Sequence, residues 1–150
     1  MADYDVLTIG NAIVDIIART EDDFLRQNNI IKGAMNLIDA NRAELLYSRM
    51  GPAIEASGGS AGNTAAGVSN FGGKAAYFGK VSDDHLGSVY VHDMRAQRVV
   101  FDTKPLTGEP PTARSMIFVT PDGERSMNTY LGACVELKPE DIEEDKVAAS

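Results

Sequence analysis

The stretch PAIEASGGSAGNTAAGVSNFGGKAAYFGKV, residues 52–81, limits what this chain can fold into more than any other. A short β-leaning run, Pro52–Ser57, stops at the pair Gly58-Gly59. Ser60 to Phe71 then places small residues at near-helical intervals, and Gly72-Gly73 closes the helix. Lys74–Val81 is β-leaning and apolar again. Strand, helix and strand in that order need a crossover, which a right-handed βαβ unit in a mainly parallel sheet supplies. The alternation continues downstream. Asp83 or Asp84 can cap a helix through Gln97 with Leu86, Val89, Tyr90 and Met94 on its apolar face, and Arg98–Thr103 reads as the next strand.

The two ends are less regular. Tyr4–Gly10 reads as a buried strand and Ile13–Thr20 as a second. Asp22 to Asn28 is a short helical turn, Ala34–Asp39 a strand, and Asp39 a cap for the helix ANRAELLYSRM. Residues 113–131 hold two β-like runs around Pro121-Asp122-Gly123, the strongest hairpin signal in the chain. KPEDIEEDKVAAS predicts a further helix with Pro139 in its first turn and a solvated acidic face over Glu140–Asp145.

Composition excludes several classes. A net charge of −8 with a pI near 4.7 argues against a nonspecific nucleic-acid surface, while local binding of an anion such as phosphate stays open. The single cysteine, Cys134, excludes an internal disulfide and a Cys-rich zinc site, and reads as a buried, inert thiol. The N-terminus has no basic region before a long apolar stretch, and no run approaches the length of a membrane span. These features lead to the expectation of a cytoplasmic protein with neither nucleic-acid nor membrane partners.

The glycine pair raises the question of what it makes room for. Glycine tolerates φ > 0 and lacks a Cβ, so other atoms can approach its backbone. Gly58 and Gly59, followed by a helix with Asn63 in its first turn, form a small polar cup. The alternative is a tight strand–helix turn without a ligand. Asn11 and Asp15 make a second polar pair after the first strand, where open α/β sheets place ligands. A carboxylate there can accept from two vicinal hydroxyls; the alternative is a turn residue and a solvated acid. Neither G-x-G-x-x-G nor the Walker loop occurs, so the two common nucleotide loops are unsupported. His85 and His92 lack a third ligand and read as surface residues, and Asp83-Asp84 reads as a helix cap rather than a Mg²⁺ site.

Taken together, GNAIVD, GGSAGNTA, GKVSDDHLG and the hairpin followed by NTYLGA resemble the PfkB family of carbohydrate kinases, which includes ribokinase, fructokinase and adenosine kinase. The order of elements agrees over nearly the whole chain, and DDFLRQNNIIKGAMNLID looks most like the adenosine-kinase branch. The resemblance implies an α/β, ribokinase-like fold: a mainly parallel sheet with flanking helices plus a small β-sheet lid. The lid strands would come from about residues 13–20, 34–39 and 113–131. By matching positions, Asp15 would bind sugar hydroxyls, with Asn11, Gly58, Gly59 and Asn63 orienting them. Met35, Leu37, Met127 and Thr129 would line the pocket from the lid, and Arg125 would approach substrate or phosphates.

The implied activity is ATP-dependent phosphoryl transfer to a hydroxyl of a sugar or nucleoside, with adenosine or a ribose-type substrate favoured and with a possible homodimer through the lid. A lid would keep water from the reaction. One departure is large. The family's second signature, resembling Asp-Thr-x-Gly-Ala-Gly-Asp, is missing; DTKPLTGEP at Asp102 is only a superficial match. The expectation is therefore an N-terminal portion with the catalytic base beyond Ser150, with ATP and Mg²⁺ bound mainly by the part not in this chain. Such a chain would be inactive alone. A rival expectation is a non-catalytic module that binds a ribose-containing ligand or dimerises through the lid. An unrelated nucleotide-binding α/β enzyme is disfavoured by the missing dinucleotide loop.

Overall fold

A computed structural model describes residues 2–150. Seven strands and five α-helices fold into two sheets with flanking helices. The smaller sheet pairs β1 (Val6–Ile9) with β5 (Ala75–Phe78) in parallel. The larger has five strands in the order β3 (Met35–Leu37), β7 (Arg125–Tyr130), β6 (Ala113–Val119), β2 (Ile13–Arg19) and β4 (Ile54–Gly58). Three of the five strand pairings are parallel.

The expected strands near 13–20, 34–39 and 113–131 all join the larger sheet. The weak candidate at 52–57 joins it too, as the edge strand β4. From β4 the chain passes through α3 (Ser60–Asn70) into β5 and so links the two sheets. Helix α4 (His85–Ala96) follows, capped by Asp84, whose carboxylate accepts from the Gly87 amide at 2.8 Å. Asp39 caps α2 (Ala40–Arg49) in the same way. The short α1 (Asp22–Gln27) completes the helices before α2.

Side-chain alternation divides the larger sheet into two faces. Val14, Ile16, Met116 and Phe118 point one way and are buried in one core with Leu25, Ala43 and Leu46 from the helices; Ala18, on the same face, is also buried. The opposite face carries Asp15, Ile17, Met35, Leu37, Ile54 and Met127, of which Met35, Leu37 and Ile54 are exposed.

Two expectations need correction. Arg98–Thr103 is not a strand: only Val100 bridges to Ala76, exchanging backbone hydrogen bonds with Ala75 and Tyr77. Arg98 leaves α4 in the left-handed region, φ 61°, which breaks the extended run at its start. Nor is the C-terminal segment one helix. Pro139–Asp141 forms a 3-10 turn, and Asp141 is held out of a continuous helix by Lys80 Nζ at 2.7 Å and by the Lys138 amide. Helix α5 covers only Glu144–Ala148. Glu143, Glu144 and Asp145 are solvated as expected, whereas Asp141 is ion-paired with nearly buried Lys80.

Candidate functional site

Strand β2 begins after Gly10, and its third residue is Asp15. Pairing places Asp15 between Ala56 of β4 and Ser115 of β6. Extending the register gives one row across all five strands: Leu37, Thr129, Ser115, Asp15 and Ala56. The neighbouring row is wholly apolar: Met35, Met127, Ile117, Ile17 and Ile54. The site is therefore a carboxylate beside an apolar wall, with Leu37 about 14 Å from Asp15 at ordinary strand spacing.

The Asp15 carboxylate is partly buried, and among the described residues it receives no hydrogen bond from the protein. Burial pushes its pKa above the ordinary carboxyl value, and the positive charge of Arg125 opposes that rise. Its acceptor capacity is thus available to a ligand. Arg125 is itself exposed, at the start of β7 opposite Val119.

The glycine pair does two separate things. Gly58 ends β4 opposite Ile13, and a Cβ there would lie 2.5 Å from Asp15 Oδ2. Its missing side chain is the space the carboxylate occupies. Gly59 has φ 85° and is the N-cap of α3; a Cβ there would overlap the Asn11 carbonyl oxygen. The Gly59 carbonyl in turn accepts from the Asn63 amide at 2.9 Å. Close backbone packing and room for a polar group are both built into two residues.

These contacts bring Asn11, Asp15, Gly58 and Gly59 together, with Asn63 one helical turn away and its side chain exposed, as is that of Asn11. Met35 and Leu37 are exposed on the wall, and Met127 is half-buried beside Met35. Thr129 is buried, and its hydroxyl shares a hydrogen bond with the Ser115 hydroxyl at 2.8 Å, in which either oxygen can donate. Ser115 was not singled out in the sequence. It lies in a long β-like run with no local cue, and only the register reveals it.

Sequence reasoning also missed two anchors behind the site. Tyr77 Oη donates to the Gly10 carbonyl at 2.9 Å, and Tyr90 Oη donates to the Gly58 carbonyl at 3.0 Å. Tyr90 read simply as an apolar helix residue, and helical periodicity carries no information about where its hydroxyl ends.

Among the described residues, no group of three or more His, Cys, Asp or Glu converges to hold a cation. The Asp84 carboxylate accepts from the Gly87 amide, the Thr112 amide and the Thr112 hydroxyl, which leaves it a cap and a tie. His85 and His92 are exposed, with Glu55 and Asp93 as their neighbours. Cys134 is buried, and burial pushes its thiol up to about 11. A cavity of about 820 Å³ lies elsewhere, lined by Arg19, Phe24, Arg49 and Gly123.

A sheet-linked pair of layers, with a free carboxylate held over two glycines beside an open apolar face, defines a ribokinase-like α/β protein. The pattern of the pfkB family carbohydrate kinases matches residues 4–150, and the chain belongs to that family. Among solved structures, it is 79% identical to an adenosine kinase from Sinorhizobium meliloti, with TM-score 0.92 over 98% of this chain and 45% of that one. It is 73% identical to a probable sugar kinase from Rhizobium etli, with TM-score 0.94 over 99% of this chain and 45% of that one. A probable fructokinase-4 from Arabidopsis thaliana is 29% identical over 104 residues, 65% of this chain and 30% of the plant protein. The chain thus spans less than half the length of these relatives. The adenosine-kinase-like branch expected from residues 22–39 agrees with the similarity to the Sinorhizobium protein.

Proposed function

We propose that this chain supplies the substrate-binding half of a kinase that phosphorylates a hydroxyl of a nucleoside, with adenosine the favoured acceptor. The observation that carries the proposal is the unpartnered, partly buried Asp15 carboxylate seated against Gly58 on a face whose adjoining row is entirely apolar. A ribose offers two vicinal hydroxyls to one carboxylate, and a flat base suits Met35, Leu37 and Met127 better than a bare hexose would. Identity of 79% to a protein described as an adenosine kinase supports the same choice.

Each residue then has a defined task. Asp15 accepts from the sugar hydroxyls, and the exposed carboxamides of Asn11 and Asn63 help to orient them. Gly58 and Gly59 keep the approach open. The strands at 13–20, 34–39 and 113–131 act as a lid whose apolar row displaces water from the acceptor hydroxyl. Arg125 moderates the charge of Asp15. On this reading ATP, Mg²⁺ and the catalytic base are held by a further part of the enzyme.

The intact gene product should consume ATP in the presence of adenosine in preference to ribose or fructose. Asp15→Ala should lower kcat/KM about 10- to 100-fold, as expected on losing hydrogen bonds to a charged group. A variant with near-normal kcat/KM would remove Asp15 from the site. The exposed residues Met35, Leu37 and Ile54 also favour a second reading, in which two copies pair through this face. Sedimentation would show a dimer that Leu37→Glu dissolves.

A further inference from the structure

Two buried tyrosines reach the substrate site from beneath. Tyr77 lies on β5 and Tyr90 on α4, with 1% and 0% of their surface exposed. A buried hydroxyl needs an acceptor, and many would serve. Here both acceptors are backbone carbonyls of the site. Tyr77 bonds Gly10, the residue before Asn11, and Tyr90 bonds Gly58, the residue before Gly59. The two glycine-bearing segments come from distant parts of the chain. They press directly on each other where Gly59 meets the Asn11 carbonyl.

The surroundings are shaped for these hydroxyls. A Cβ at Gly62, inside α3, would overlap the Tyr90 hydroxyl, and one at Gly79 would lie 2.5 Å from the Tyr77 hydroxyl. The rings are 6.2 Å apart, and Phe101 packs against both, at 5.3 and 5.4 Å between centroids. With the rings so confined, each hydroxyl is aimed at one place. Burial pushes the Tyr77 hydroxyl up to about 12 and raises that of Tyr90, so both remain donors at physiological pH.

We infer that Tyr77 and Tyr90 are positioning residues for the substrate site: their hydroxyls fix the Gly10–Asn11 and Gly58–Gly59 peptides and so set the spacing between Asn11, Asp15 and the first turn of α3. Neither touches the ligand. They hold the site open at the correct width before a substrate arrives, which lowers the ordering cost of binding. The inference rests on the kinase reading for its ligand, but not for its geometry.

The test uses the intact gene product, titrated with adenosine by calorimetry, together with Tyr77→Phe and Tyr90→Phe, which keep the rings and remove one oxygen each. Each variant should fold and bind adenosine about five- to tenfold more weakly, matching loss of about 1 kcal/mol of preorganisation. Amide exchange should speed up locally: at Gly10 in Tyr77→Phe, and at Asn63 in Tyr90→Phe. Ala43→Gly, a buried change on α2 away from the site, should lower Tm without changing affinity. Unchanged affinity in both tyrosine variants, with a Tm loss like that of Ala43→Gly, would show a merely structural role and overturn the inference. If Tyr90→Phe does not fold, Tyr77→Phe alone decides it by the same criteria. If the wild type binds neither nucleoside nor sugar, the kinase reading fails separately. Local exchange then decides the tyrosine inference, and unchanged protection at both amides overturns it.

Discussion

Asp15 illustrates how a residue can be better for function than for stability. Burial raises its pKa above the ordinary carboxyl value, so the folded chain holds this proton more tightly than the unfolded chain does. As pH rises, the unfolded state releases the proton first, and stability falls through the folded-state pKa. At pH 7 the carboxylate therefore costs stability. Asp15→Asn should raise Tm at pH 7, by about 2–4 °C for each kcal/mol relieved in a chain of this size, while weakening ligand binding. A lower Tm for Asp15→Asn, measured by calorimetry, would show that the folded protein stabilises the charge and would contradict this prediction.

Gly62 offers a sharper sign test. Helix propensity alone makes Gly→Ala favourable by about 1 kcal/mol. Overlap with the Tyr90 hydroxyl predicts instead a loss of about 1–3 kcal/mol for Gly62→Ala, because the buried ring has nowhere to go. Denaturant midpoints decide between them. Residue types made the close packing at this place legible in advance, because a glycine pair signals close approach. Their sequence spacing could not show that Gly58 accommodates the side chain of Asp15, 43 positions away. Nor could it show that the Thr129 hydroxyl is already engaged.

At the scale of elements, the caps and turns carried most of the information. Asp39 and Asp84 stand where the helices start, and the turn at Pro121-Asp122-Gly123 joins β6 to β7, with Gly123 at φ 85°. The failures came where tertiary contacts decide. Arg98–Thr103 has strand composition but only one bridging residue. The last segment has helix composition, but Lys80 binds Asp141 and interrupts it. β4 looked weak because an edge strand need not be apolar on both faces.

Asp84 does more than start α4. Its carboxylate also takes the amide and hydroxyl of fully buried Thr112, the residue just before β6. It thereby joins the helix layer to the larger sheet. Asp84→Ala should cost about 2–4 kcal/mol, the sum of a lost cap and buried donors left unpaired. Thr112→Val should show strong coupling to it in a double-mutant cycle. Additive losses in urea unfolding would mean the tie carries no energy of its own.

For the whole molecule, the essential feature is how two sheets share one site. β5 and α4 sit behind it, β2 and β4 form its floor, and β3, β6 and β7 extend its apolar wall. Family membership follows from the match over residues 4–150, and the likeness in fold from close structural neighbours. The substrate is a matter for chemistry at Asp15. A crystal structure of the protein with adenosine bound tests this most directly. The ribose hydroxyls should lie about 2.6–3.2 Å from the Asp15 carboxylate, with the base against Met35, Leu37 or Met127. Adenosine found elsewhere, for example between Arg19 and Arg49, with its ribose beyond hydrogen-bond reach of Asp15, would contradict it.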